Sequence, residues 1–137
     1  MGVQISGAYL EGLTMRMKHD LSGTTLLTDP PLDNGGQAKS FSPTDLVATA
    51  LGACMMSVMA IAARKDAIDL AGMSCQVEKH MSTDLPRRIA CLEVVITMPR
   101  HLHQDQRQAL ESVGNRCPVI QSLSRDIKIE TIYQYEA

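Results

Sequence analysis

Polar and apolar residues alternate from Leu13 to His19. Leu13, Met15 and Met17 share one face, and Thr14, Arg16 and Lys18 share the other. A period of two predicts a half-buried strand. β-forming residues from Val3 to Leu10 predict a strand before it. A turn at Leu21 to Thr24 leads to a short third strand, Thr25 to Thr28. Asp29-Pro30-Pro31-Leu32-Asp33-Asn34-Gly35-Gly36 is rich in breakers and predicts a loop without regular structure.

The pattern then changes. From Pro43 to Lys65 the chain is apolar or small on every side, which predicts one helix of 23 residues, about 35 Å long. Ser42 suits the N-cap, Pro43 the first helical position, and Asp45 completes a Ser-x-x-Asp capping arrangement. Arg64 and Lys65 suit the negative end of the helix dipole. A helix apolar all round is expected to be buried all round. One chain of 137 residues has little protein with which to wrap it, so a second copy is expected to cover it.

In the second half, Ser74 to Met81 predicts a strand and Ser82 to Pro86 a turn. Arg88 to Met98 predicts a longer strand, with Leu92, Val94, Ile96 and Met98 on one face. Gln104 to Val113 predicts an amphipathic helix with Leu110 and Val113 inward, stopped at Gly114-Asn115. Pro118 to Leu123 predicts a short helix. Ile127, Ile129, Thr131, Tyr133 and Tyr135 alternate along a last strand. Hairpins with helices between them predict one α+β domain over residues 1–137 with a mostly antiparallel sheet.

Composition narrows the function. The formal net charge is −2, and no basic stripe with interleaved aromatics argues for a nucleic-acid partner. The long helix carries Thr49, Gly52 and Ser57 and ends in two cations, so it reads as a core helix and no membrane is expected. Without a leader pattern the expected compartment is cytoplasmic, where thiols stay reduced. The core must be built from aliphatic residues and nine methionines, because the chain has no Trp and one Phe. Four cysteines, at 54, 75, 91 and 117, have no zinc spacing, the carboxylates and histidines do not cluster along the chain, and no metal is expected.

The thiols carry the remaining chemistry. If Pro118 begins a helix, Cys117 is its N-cap, where free N–H groups and the dipole favour the thiolate. The same residue also reads as a small packing hydrophobe. Cys54 is about eleven residues past its cap, too far to feel a helix end. It reads as buried packing unless the fold brings a cation to it. Arg16, on the polar face of the second strand, is the cation with the best placement, and it also reads as an exposed strand residue. Asp45 could orient an arginine, although capping already accounts for it.

Ser42-Pro43-Thr44-Asp45-Leu46, Ala50-Leu51-Gly52-Ala53-Cys54 and Cys117-Pro118-Val119 resemble the OsmC/Ohr family, as does the lead-in Asp29-Pro30-Pro31 with Gly35-Gly36. The resemblance implies an intertwined homodimer in which long central helices pack between mostly antiparallel sheets. It implies a thiol-dependent peroxidase that reduces organic hydroperoxides in oxidative-stress defence. Cys54 would be the peroxidatic thiolate and Cys117 the resolving thiol. No cofactor is implied, only an external dithiol reductant.

Two positions depart from the family's dedicated hydroperoxide reductases. Those have Glu at the third position of the Ser/Asn-Pro-x motif, where it holds the catalytic arginine; here that position is Thr44. Asp45 lies one step, about 100°, round the helix. Their arginine lies near the end of the first strand, where this chain has Leu13 and Thr14, and Arg16 is the nearest candidate. The chain therefore resembles the broader OsmC-like group. A non-catalytic dimer that binds a small hydrophobic ligand at its interface is the alternative reading.

Overall fold

A computed structural model describes residues 1–136. The chain divides into two compact units, Met1–Val47 and the chain from Ala48 on, with the boundary inside the long helix. Each unit has its own three-stranded sheet.

In the first unit, β1 (Ile5–Glu11), β2 (Thr14–His19) and β3 (Thr25–Thr28) form an antiparallel sheet in that order. Met15 and Met17 are half-buried while Arg16 and Lys18 are exposed, as the alternation predicts. The following loop differs from expectation, because Leu32–Asn34 forms one 3-10 turn. Pro31 leads into it, and Gly35, with φ 83°, ends it in the left-handed region. The buried Asp29 closes the loop, its carboxylate accepting the backbone N–H groups of Gln37 and Lys39, each at 3.0 Å.

α1 spans Pro43–Lys65, the bounds that the sequence predicts. Its start is fixed reciprocally. The Asp45 N–H donates to Ser42 Oγ at 3.1 Å, and the Ser42 N–H donates to Asp45 Oδ2 at 2.9 Å. Two backbone donors that the helix cannot satisfy itself are thereby paired.

The second unit is built on the rest of α1. Ala48, Leu51, Gly52, Met55, Met59 and Ala63 are buried. Their spacing of three and four residues makes one stripe. The predicted burial on all sides does not occur within one chain: Ala50, Ala53 and Ala60 are exposed, and Ile61 is 58% exposed. A three-stranded sheet covers one side of a helix, and these residues of the other side stay exposed.

That sheet has the order β4 (Ser74–Met81), β5 (Ile89–Met98), β6 (Lys128–Tyr135). β4 and β5 are antiparallel, whereas β5 and β6 are parallel. A parallel return needs a crossover. α2 (Gln104–Gly114) and α3 (Pro118–Ser122) supply it. Leu92, Val94, Ile96 and Met98 on the central strand are at most 1% exposed, together with Leu51, Met55 and Met59 of α1. Leu110 of α2 is buried, while Val113 is only half-buried. Gly52 sets how closely helix and sheet approach. A Cβ there would stand 2.9 Å from Cys75 Sγ and 2.9 Å from Val77 Cγ2.

Candidate functional site

Cys54 is half-buried in the middle of α1, beside the buried stripe. Cys117 is fully buried at the N-cap of α3, where Pro118 follows at the first helical position as predicted. Both are free thiols. The fold brings their side chains near enough that the Cys54 thiol acts on the titration of Cys117.

The cap position does not make Cys117 acidic. Burial raises its pKa above the ordinary thiol value. The N–H groups of Ile120 and Val119 pull the other way, and the adjacent Cys54 pushes further up. The sulfur closes no full cap hydrogen bond. The dipole argument from sequence has the right sign for those N–H groups, but desolvation outweighs them.

A polar wall stands behind Cys117. Tyr133 of β6 donates its hydroxyl to Asn115 Oδ1 at 2.7 Å, with a longer contact to the Glu111 carbonyl at 3.4 Å. Its pKa is pushed up to about 12, first by burial, then by the charges of Glu111 and Cys117. Tyr133 therefore stays a neutral donor across the physiological range. Tyr135, on the same face of β6, donates its hydroxyl to the Glu111 carboxylate. The Arg107 guanidinium lies 4.0 Å from the Tyr135 ring centroid. Arg107 Nε also donates to the Leu102 carbonyl at 2.7 Å. The alternation along β6 marked both tyrosines as sharing one face. The partners of their hydroxyls come from α2 and the turn after it, which no sequence spacing indicates.

The other residues singled out from sequence lie in the first unit. Arg16 is exposed on β2, opposite Ala8 and Leu27. Thr44 lies in the first turn of α1, its hydroxyl 3.2 Å from that of Ser42, and Asp45 is the capping carboxylate described above.

Cys75 packs against Gly52, and burial raises its pKa. Cys91 lies on the opposite face of the second sheet, in a group that sequence reasoning missed. Cross-strand register sets Glu78 beside Glu93 and Glu93 beside Glu130. The donor atoms of Glu78, His80 and Glu93, and those of Cys91, Glu93 and Glu130, each lie within 4.8 Å of one another. These carboxylates do cluster, then, although the sequence reads as having none that do. Like charges directly opposed on a sheet repel. Here His80 Nε2 sits 3.1 Å from Glu93 Oε2, and Lys128 Nζ sits 2.7 Å from Glu130 Oε1, which offsets the repulsion. His103 caps α2, and His19 holds a turn through Ser22.

The sequence profile of the family described as OsmC-like protein matches residues 36–132. No curated protein matches. Among solved structures, the chain is similar to a protein of Psychrobacter arcticus 273-4 named for osmotic stress induction and detoxification response. The identity is 34%, with 97% of each chain covered and a TM-score of 0.90. It shares its fold with an organic hydroperoxide resistance protein OsmC of Legionella pneumophila, at 16% identity, 98% and 97% coverage and a TM-score of 0.78. It also shares its fold with the organic hydroperoxide resistance protein OhrB of Bacillus subtilis, at 16% identity, 98% coverage of each chain and a TM-score of 0.71.

Proposed function

Because the chain belongs to the OsmC-like protein family, we propose that it is a thiol-dependent peroxidase for organic hydroperoxides. The observation that carries this reading is the proximity of the Cys54 and Cys117 thiols, brought together from two different helices. In the proposed cycle the Cys54 thiolate attacks the peroxide O–O bond. Sulfur is oxidised to the sulfenic acid, and the leaving alkoxide takes a proton to become the alcohol. Cys117 then attacks the sulfenic sulfur, the disulfide forms and water leaves. An external dithiol returns both thiols and is itself oxidised to a disulfide.

The partly exposed side chain of Cys54 suits its assignment as the first thiol. Burial and a raised pKa keep Cys117 protonated and shielded from peroxide, which leaves it for the second step, against the nearby sulfenic sulfur. Arg16 is the cation we assign to activate Cys54. Asp45 and Thr44 are assigned weaker supporting roles at the start of α1.

We propose a homodimer in the cytoplasm. Each unit leaves apolar surface for a second copy to cover: the exposed side of α1 in the second unit, and Ile5, Tyr9, Leu26 and Leu27 of the sheet in the first. α1 is long and apolar enough to cross a membrane by length and composition alone. Its buried stripe against a sheet supports a core role instead.

The test is consumption of cumene hydroperoxide by the purified protein with excess dithiothreitol. Turnover that disappears in Cys54→Ser supports the reading, and no consumption by the wild type rejects it.

Thr44, at the position where the dedicated reductases carry Glu, favours a second reading. In it the dimer binds a small hydrophobic ligand and performs no chemistry. Native mass spectrometry that finds a co-purifying ligand, with no peroxide consumed, would select it.

A further inference from the structure

Cys117 is carried by a short turn between two helices. α2 ends at Gly114, and Asn115, Arg116 and Cys117 complete the passage to α3. The turn is held from within by the Asn115 N–H to Glu111 O at 2.9 Å and the Cys117 N–H to Gly114 O at 3.3 Å. From the second sheet, Tyr133 of β6 reaches it, its Oη donating to Asn115 Oδ1 at 2.7 Å. Asn115 is itself exposed, so this anchor comes from the half-buried tyrosine. Gly114 makes the approach possible. A Cβ there would stand 2.9 Å from the Tyr133 hydroxyl and 2.9 Å from Met59 Sδ. Met59 is one α1 turn beyond Met55 and belongs to the same helix as Cys54.

We propose that Tyr133 is a positioning residue for disulfide formation: its hydroxyl, through Asn115, holds the Gly114–Cys117 turn so that the Cys117 thiol stays against Cys54. The role rests on the reading of Cys54 and Cys117 as a redox pair. Closing a disulfide requires α-carbons within about 7 Å and a narrow dihedral range, so small movements of the turn are felt directly. The Tyr133 hydroxyl bonds Asn115 and the Glu111 carbonyl, on the Cys117 side of the pair. It therefore acts on the second step and leaves the first unchanged.

The reaction tested is exchange with glutathione. Cys54 displaces one glutathione from its disulfide, giving a mixed disulfide. Cys117 then displaces the second glutathione, so one glutathione disulfide becomes two thiols as the protein disulfide forms. The fraction oxidised, counted by alkylation and mass spectrometry, gives the effective molarity of Cys117 towards Cys54. Tyr133→Phe is expected to lower it about fivefold, the worth of one net hydrogen bond. Asn115→Ala, a change at an exposed position, is expected to lower it equally, and the double variant no further. In a Cys117→Ser background, trapping of the Cys54 sulfenic acid by dimedone after cumene hydroperoxide is expected to run at one rate with and without Tyr133→Phe.

An unchanged effective molarity in both single variants overturns the positioning role. So does an equal loss in the sulfenic acid step, which would mark a general structural defect. Absence of any Cys54–Cys117 disulfide in the wild type overturns both this role and the peroxidase reading. A disulfide that responds to Tyr133→Phe in a protein that consumes no peroxide upholds the role and rejects only the peroxidase.

Discussion

The thiols of Cys54 and Cys117 lie near enough to interact, although 63 positions separate them along the chain. One comes from the middle of a helix and the other from the cap of another. Cys54 has no local reason to be reactive, and at Cys117 burial outweighs the helix cap. Their proximity is what turns two packing residues into a candidate redox pair, and it leads to the first prediction. Cys54→Ser should abolish hydroperoxide consumption. Cys117→Ser should stop after one turnover with Cys54 carrying one added oxygen, read by intact mass after a single peroxide equivalent. A Cys117→Ser protein that still turns over at the wild-type rate would remove Cys117 from the cycle.

Alkaline pH should destabilise the fold in two stages. The Cys117 thiol has an ordinary value of 9.0 and is raised in the folded protein. Between those values the unfolded chain has lost a proton that the folded chain retains. Stability is therefore fully present below pH 9 and falls as pH rises through the folded value. Tyr133 follows, with its ordinary value of 10.0 raised to about 12, and Tyr135 shifts in the same direction. Urea midpoints measured from pH 8 upward should decline. Cys117→Ser should flatten the first part of the decline and Tyr133→Phe the second. An identical profile in all three proteins would contradict the assignment.

Thr44 offers a gain-of-function test. If Arg16 activates Cys54, a carboxylate at position 44 should hold the guanidinium in place. Thr44→Glu is expected to raise the peroxidase rate about tenfold, less than the roughly hundredfold or more that removing one direct electrostatic donor costs elsewhere. Arg16→Ala should cancel the gain. A Thr44→Glu gain that survives Arg16→Ala would mean that another cation serves Cys54.

Gly52 and Cys75 should show coupled stability. Gly52→Ala places a methyl 2.9 Å from Cys75 Sγ and from Val77 Cγ2. Overpacking of this kind costs about 1–3 kcal/mol. Cys75→Ala should recover part of that loss, because it removes one of the two clashing atoms while Val77 remains. Denaturant unfolding of the four proteins in the cycle measures the coupling, and strict additivity would show that the helix relaxes away from the sheet instead.

Much of the architecture is legible in the sequence. α1 begins and ends where its capping residues, proline and terminal cations predict. β3 and β4 keep their predicted bounds, and the others shift by a residue or two at their ends. These are local features, written in nearest neighbours and in periods of 2 and 3.6. The pairing of β6 with β5 in parallel was not legible, because register depends on how a crossover lays a strand back on the sheet.

The sequence by itself determined the element order, the α+β class, the caps of α1 and α3, and which thiols merit attention. It did so because propensity, capping and amphipathic pattern act within a few residues. Only the tertiary structure decided that Cys54 and Cys117 meet and that burial overrides the cap at Cys117. It also decided that Tyr133 reaches Asn115 and that Glu78, Glu93 and Glu130 line up across three strands. Each of these depends on groups far apart in the chain and on how much water the packing leaves between them, and neither quantity has a signature in local spacing.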